Sequence, residues 1–226
     1  MGCPLCMLAL VSAPLEAQQA TAPLRFGVTW SRGAPQGDLA EIADAPQGFT
    51  AQLALPVSRT ARVGIRAEFS VLTFPERSLQ VGDEGSGATA DVTVRGTVGF
   101  TGVGPRIETR LGPFAMALGA MGGFVRVITD ATARSEVDGE RTSAALSLSD
   151  YAIAGKASAD LHLALYRGPS STAVGIVGGV DWLTGGQVGF PQMNSFRLSS
   201  PGVLTLDRPV VAPSMFVIRA GVGVEF

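Results

Sequence analysis

The chain is short of cysteine, histidine, aromatic side chains and charge. Its two cysteines, Cys3 and Cys6, fall in the first six residues, and His162 is the one histidine among 226 residues. A chain processed beyond those cysteines has neither disulfides nor thiolate metal ligands. Charged residues make up 16% and aromatics 7%, where an ordinary soluble domain is about a quarter charged. A net charge of -2 and a pI near 5.4 give no reason to expect a nucleic-acid partner. Also absent is any run approaching the roughly 20 apolar residues of a membrane helix. What the chain does have is 46% hydrophobic residues, 29 glycines and a mean hydropathy of +0.30, a composition suited to a bilayer. Without an apolar helix, the other way across is a closed barrel, in which every backbone group is bonded between strands.

Residues 1–20 read as a signal peptide. Cys3 to Leu15 is mostly apolar, and Ala17 or Ala20 in the segment that follows suits a signal peptidase. No basic residue precedes the apolar run. Acylation at Gly2 wants Ser or Thr at position 6 and meets Cys6. A lipoprotein cysteine follows its apolar run, whereas both cysteines here precede it. Residues 21–226 are then the mature domain.

That domain alternates strands with two kinds of connection. Side chains along a strand point to opposite faces in turn. Strands are expected at Leu24 to Arg32, Gly48 to Pro56, Thr60 to Thr73, Asp91 to Arg110, Phe114 to Thr129, Asp150 to Tyr166, Thr172 to Thr184 and Ser214 to Phe226. The sixth is the clearest: Tyr151, Ile153, Ala157, Leu161, Leu163 and Leu165 oppose Ala152, Ala154, Lys156, Ser158, Asp160 and His162. The fourth changes parity. Val92, Val94, Val98 and Phe100 are apolar at even positions, Val103, Ile107 and Leu111 at odd ones, which predicts a β-bulge near Thr101-Gly102. Gly122-Gly123 marks a second bulge in the fifth strand. Short turns follow the second, fourth and sixth strands. Long loops, at about 34–47, 74–90, 130–149 and 185–212, follow the others. Short turns on one rim and long loops on the other are the asymmetry of a transmembrane barrel. The fold class is therefore all-β: an eight-stranded antiparallel up-and-down transmembrane β-barrel.

The last stretch, Ser-Met-Phe-Val-Ile-Arg-Ala-Gly-Val-Gly-Val-Glu-Phe, puts Phe216, Ile218, Ala220, Val222, Val224 and Phe226 on one face. It resembles the C-terminal strand of bacterial outer-membrane β-barrels. Gly104-Pro105-Arg106-Ile107-Glu108 followed by Leu111-Gly112-Pro113-Phe114 resembles the central hairpin of many small members of that class. The whole pattern is similar to the OmpA transmembrane domain and OmpX. The resemblance implies a place in the bacterial outer membrane and contact with its lipid. It also implies that Phe226 is an assembly signal read by the barrel assembly machinery.

The face opposite the apolar one carries Arg62, Arg66, Glu68, Arg95, Glu108, Arg110, Lys156, Asp160, Asp181, Arg219 and Glu225. A Lys or Arg facing lipid at the midplane would cost about 2–4 kcal/mol, so these are expected inside the barrel. An eight-stranded barrel is just wide enough for side chains to fill, and buried charges must be paired. A plug of ion pairs is the favoured reading. If the strands enclose a pore instead, their excess of basic residues gives weak anion preference. His162 lies four residues before the turn at Arg167, near the periplasmic rim, and is read as a polar interior residue rather than a catalytic base. The loops lean acidic, which disfavours a heparin- or nucleic-acid-binding adhesin. Loop four, with Phe190, Met193 and Phe196, is the candidate binding site for an unknown extracellular ligand. No spacing matches a calcium loop, and neither cofactor nor metal is expected. The function expected is a structural or interaction role through the extracellular loops. The alternatives are a small passive pore, an outer-membrane lipid-modifying enzyme and a secreted soluble lipocalin-like barrel.

Overall fold

The structure, a computed structural model, describes residues 23–57, 62–82, 89–137, 140–168, 172–190, 196–199, 203–206 and 209–226. The segment read as a signal peptide lies outside them. The strands are β1 (Arg25–Pro35), β2 (Gln47–Pro56), β3 (Val63–Thr73), β4 (Arg77–Gly82), β5 (Thr89–Leu111), β6 (Phe114–Val137), β7 (Glu140–Arg167), β8 (Ala173–Gly185), β9 (Val188–Gly189), β10 (Phe196–Ser199), β11 (Val203–Leu206), β12 (Val210–Val211) and β13 (Ser214–Glu225). One five-residue helix, α1 (Asp38–Ile42), lies between β1 and β2.

Eight of the strands close a ring in the order β1, β2, β3, β5, β6, β7, β8, β13 and back to β1, every pairing antiparallel. The closure is β1 on β13, with Arg25 opposite Glu225 and Trp30 opposite Ala220. Closure removes the sheet edges that would otherwise leave backbone groups unpaired in lipid. The turn from β5 to β6 is tight because Gly112 takes φ 63°, a left-handed conformation that costs glycine no Cβ clash. Higher up the same hairpin the strands press together. A Cβ on Gly104 would stand 2.0 Å from the Ala120 carbonyl oxygen.

Alternation decides which face is which. Along β1, Arg25, Gly27, Thr29 and Ser31 are buried while Phe26, Val28 and Trp30 are exposed. The same holds around the ring: Phe49, Ile65, Phe69, Ile107, Leu118, Phe124, Ile153, Leu161, Ile176, Ile218 and Val222 all point outward and are more than two-fifths exposed. An exterior this apolar is a bilayer-facing surface, and the lumen holds the polar side chains. The short connections after β2, β5 and β7 mark the periplasmic rim and the longer ones the extracellular rim.

Four expectations about the strands and loops are corrected. There is no bulge near Thr101-Gly102: β5 keeps one register against β3 and one against β6, and even positions face the lumen throughout. The parity change is a change in what fills the lumen, apolar above and charged below. Gly122-Gly123 is likewise in register. The irregularity lies instead in β7 against β8, between Ala164 and Tyr166. Finally, loop three is strand: Asp130 pairs with Ser147 and the hairpin runs on to Val137 and Glu140. Part of loop two is strand as well, since β4 adds to β5 above the ring, with Leu79 opposite Val92.

Candidate functional site

The lumen is filled in two layers. At the periplasmic end, Arg25 holds two carboxylates, with Nε 2.5 Å from Glu225 and Nη1 2.5 Å from Glu108. Arg106 Nη2 lies 3.1 Å and Arg110 Nε 3.0 Å from Glu108, and Arg110 also reaches Glu225 at 3.3 Å. His162 Nδ1 stands 3.2 Å from Glu225 Oε1. The next tier is wholly buried. Arg66 is paired with Glu68 and, at 2.5 Å, with Asp160. Lys156 is paired with Glu68 and, at 2.7 Å, with Asp181. Arg219 joins Asp160 at 2.5 Å to Asp181 at 2.6 Å, and donates to Gln52 at 3.2 Å. Three cations face three carboxylates here, and each charge has two opposite neighbours. Such mutual pairing offsets the cost of holding charges away from water.

Above this tier the lumen turns apolar. Lys156 marks the boundary, its ammonium 5.4 Å from the centroid of the Phe100 ring. Leu72, Val98, Phe100, Val125, Val127, Leu183, Met215 and Val217 close the space from the strands, with Phe74 just past β3. The loops supply the lid: Leu39 from α1, Val188 and Phe190 after β8, and Val211 before β13. Phe190 packs edge-on against Phe74 with ring centroids 5.7 Å apart. The helix α1 is too short to be stable alone, and its one buried residue, Leu39, ties it to the barrel.

The charges named from the sequence are sorted by this geometry. Arg66, Glu68, Glu108, Arg110, Lys156, Asp160, Asp181, Arg219 and Glu225 line the lumen. Arg62 does not: it is exposed before the start of β3, at the periplasmic rim. Arg95 does not either. It sits on the outward face of β5 and pairs with Glu76 at 2.7 Å, both side chains about half exposed. Its misplacement follows from the false bulge, which turned Val94 outward and Arg95 inward. Two lumen residues were missed. Arg25 alternates with Phe26 and Val28, and Arg106 with Ile107, and that alternation was the signal available for both.

Loop four is corrected in part. Phe190 is 2% exposed and belongs to the lid, so it does not face a partner. Phe196 opens β10, which pairs with β11, and Met193 lies outside the described residues. What does project is the sheet of β4, β5, β6 and β7 above the ring, with a small core of Val92, Val94, Ala131 and Ala133. β8 pairs with β7 only up to Ala154. Beyond it the β7 edge meets Gly186, whose N–H donates to the Ile153 carbonyl, and Gly189, whose N–H donates to Asp150. Among the described residues, no strand pairs with that edge from Glu140 to Ser149.

A closed ring of eight antiparallel strands, apolar outside and charged within, is the construction of integral proteins of the bacterial outer membrane. No protein-family pattern matches the sequence, and no curated protein matches it. Solved structures do. The chain is similar to Ail, the attachment invasion locus protein of Yersinia pestis, at 15% identity over 90% of this chain and 97% of that one, with a TM-score of 0.41. A major outer membrane protein from Thermus thermophilus is similar at 12% identity over 90% and 99%, with a TM-score of 0.44. Neisserial surface protein A is similar at 9% identity over 90% and 94%, with a TM-score of 0.37.

Proposed function

We propose that the protein is a closed outer-membrane anchor whose extracellular sheet and loops engage a partner outside the cell. The observation that carries this is the double filling of the lumen. An ion-pair tier with side chains 0–4% exposed is capped by an apolar lid. Solute passing between the rims would have to displace both. The β6–β7 hairpin, by contrast, continues past the ring with an edge that no described strand pairs with, and free strand edges accept further strands. The leading residues 1–20 serve as the export signal and Phe226 as the assembly signal.

The experiment is single-channel recording of the refolded protein in planar bilayers, with insertion verified separately. A silent bilayer is expected. Reproducible conductance steps would overturn the anchor in favour of a small pore, and charge swaps at Arg66 or Lys156 would then alter its selectivity.

A further inference from the structure

The lipid-facing wall carries a depression that neither the lumen nor the loops explain. Outward positions of β6 are apolar or small from Phe114 to Phe124, and the next outward residue is Arg126. That run is close to the 9–11 residues a strand uses to cross the hydrocarbon, so Arg126 stands at the level of the outer headgroups. Its guanidinium lies 5.2 Å from the centroid of the Tyr151 ring. Its outward cross-strand neighbours, Gly99 and Tyr151, carry no carboxylate. Below it, past Phe124 on the same face of β6, Ala51, Ala67, Thr101 and Gly122 form a floor of small residues on four adjacent strands. With Phe124 at one end, they bound a groove of about 570 Å³.

The groove follows the hydrogen-bonded row Phe26, Leu53, Ala67, Val103, Gly122. Phe26 is the second residue of its strand and Gly122 the ninth, so the row climbs from the periplasmic side toward Arg126. It spans four inter-strand spacings, roughly 19 Å, against roughly 15 Å for the hydrocarbon depth of one leaflet. We propose that this groove holds one acyl chain of an outer-leaflet lipid whose phosphate rests on Arg126 beside Tyr151. Charge decides against a second copy of the chain as the occupant. A twofold contact through this face is self-complementary, and it brings two Arg126 side chains toward each other with no carboxylate between them.

A side chain built at Gly122 meets no atom within 4 Å, so Gly122→Leu fills the groove and leaves the barrel intact. The test refolds the full chain into phosphatidylcholine vesicles containing a minor share of phosphatidylglycerol, extracts it in mild detergent and counts retained lipid by native mass spectrometry. The wild type is expected to keep one phosphatidylglycerol. Gly122→Leu is expected to keep none, and Arg126→Gln to lose the preference for the anionic lipid. Equal retention by the wild type and Gly122→Leu would overturn the proposal. So would no retention at all, or a dimer that Gly122→Leu abolishes.

Discussion

Glu68 is held by Arg66 and Lys156 together, and its side chain is closed to solvent. Each of those cations keeps one other carboxylate, Asp160 and Asp181 respectively. Replacing Glu68 with Ala leaves the tier with one more cation than carboxylates in a space water does not reach. Breaking a buried pair in this way costs about 3–5 kcal/mol. Urea unfolding of the vesicle-inserted barrel should show a loss of that size for Glu68→Ala. Arg95→Ala removes a pair of equal formal charge, but Arg95 and Glu76 are both well exposed, and exposed pairs are worth about 0–1 kcal/mol. Similar losses for the two variants would mean that water penetrates the ion-pair tier.

The β6–β7 hairpin is one element with two environments. From Phe114 to Phe124 its outward face meets lipid; from Thr129 upward both faces meet water or the small core around Val92. The upper part shares no backbone pairing with β8 or β13. Replacing residues 132–147 with a short turn should therefore leave the barrel folded, with the same shift in mobility between unheated and heated samples on a denaturing gel as the full-length chain. Loss of that shift would show that the projecting sheet contributes to closure of the ring. The double environment also explains which strands could be read from sequence. The lower half of β7 alternates clearly because Leu161 and Leu163 meet lipid while Asp160 and His162 meet the lumen. Between Asp130 and Ser149 no face is strongly apolar, so Ala131 and Ala133 against Thr132 and Arg134 read as loop. In β5 the alternation itself was genuine. What sequence could not show is that the lumen changes from apolar to charged partway along, so Phe100 inside and Ile107 outside looked like a slip of one residue.

For the whole molecule, the sharpest alternative was a soluble barrel with an apolar lumen, and the burial pattern rules on it through residues of both kinds. Arg66 and Arg219 are inside, at 0% and 2% exposure, while Trp30 and Trp182 are outside, at 44% and 37%. Trp182 stacks edge-on with Phe216, ring centroids 4.4 Å apart, where the β8–β13 wall approaches the extracellular rim. Lipids brominated on their acyl chains should quench the fluorescence of both tryptophans in reconstituted vesicles. Emission unaffected by bromine would place these side chains away from lipid. The ring, its strand order and its apolar exterior were legible because lipid imposes one rule on every strand. The lid was not, because Leu39, Val188 and Phe190 arrive from loops, where no period announces a buried side chain.

The layering of the lumen also has a direction. A barrel that enters the bilayer from the periplasm must send its extracellular end through the hydrocarbon first. On that leading half, the lumen-facing side chains include Leu72, Val98, Phe100, Val125, Val127, Leu183, Met215 and Val217, with uncharged Ser70 opposite Phe100. Arg66, Lys156, Arg219 and their carboxylates trail behind and stop partway across, with Lys156 opposite Met121. During insertion the strands therefore carry almost no lumen charge to the far side, and the crossing of charged groups is left to the loops and to the projecting parts of β5, β6 and β7.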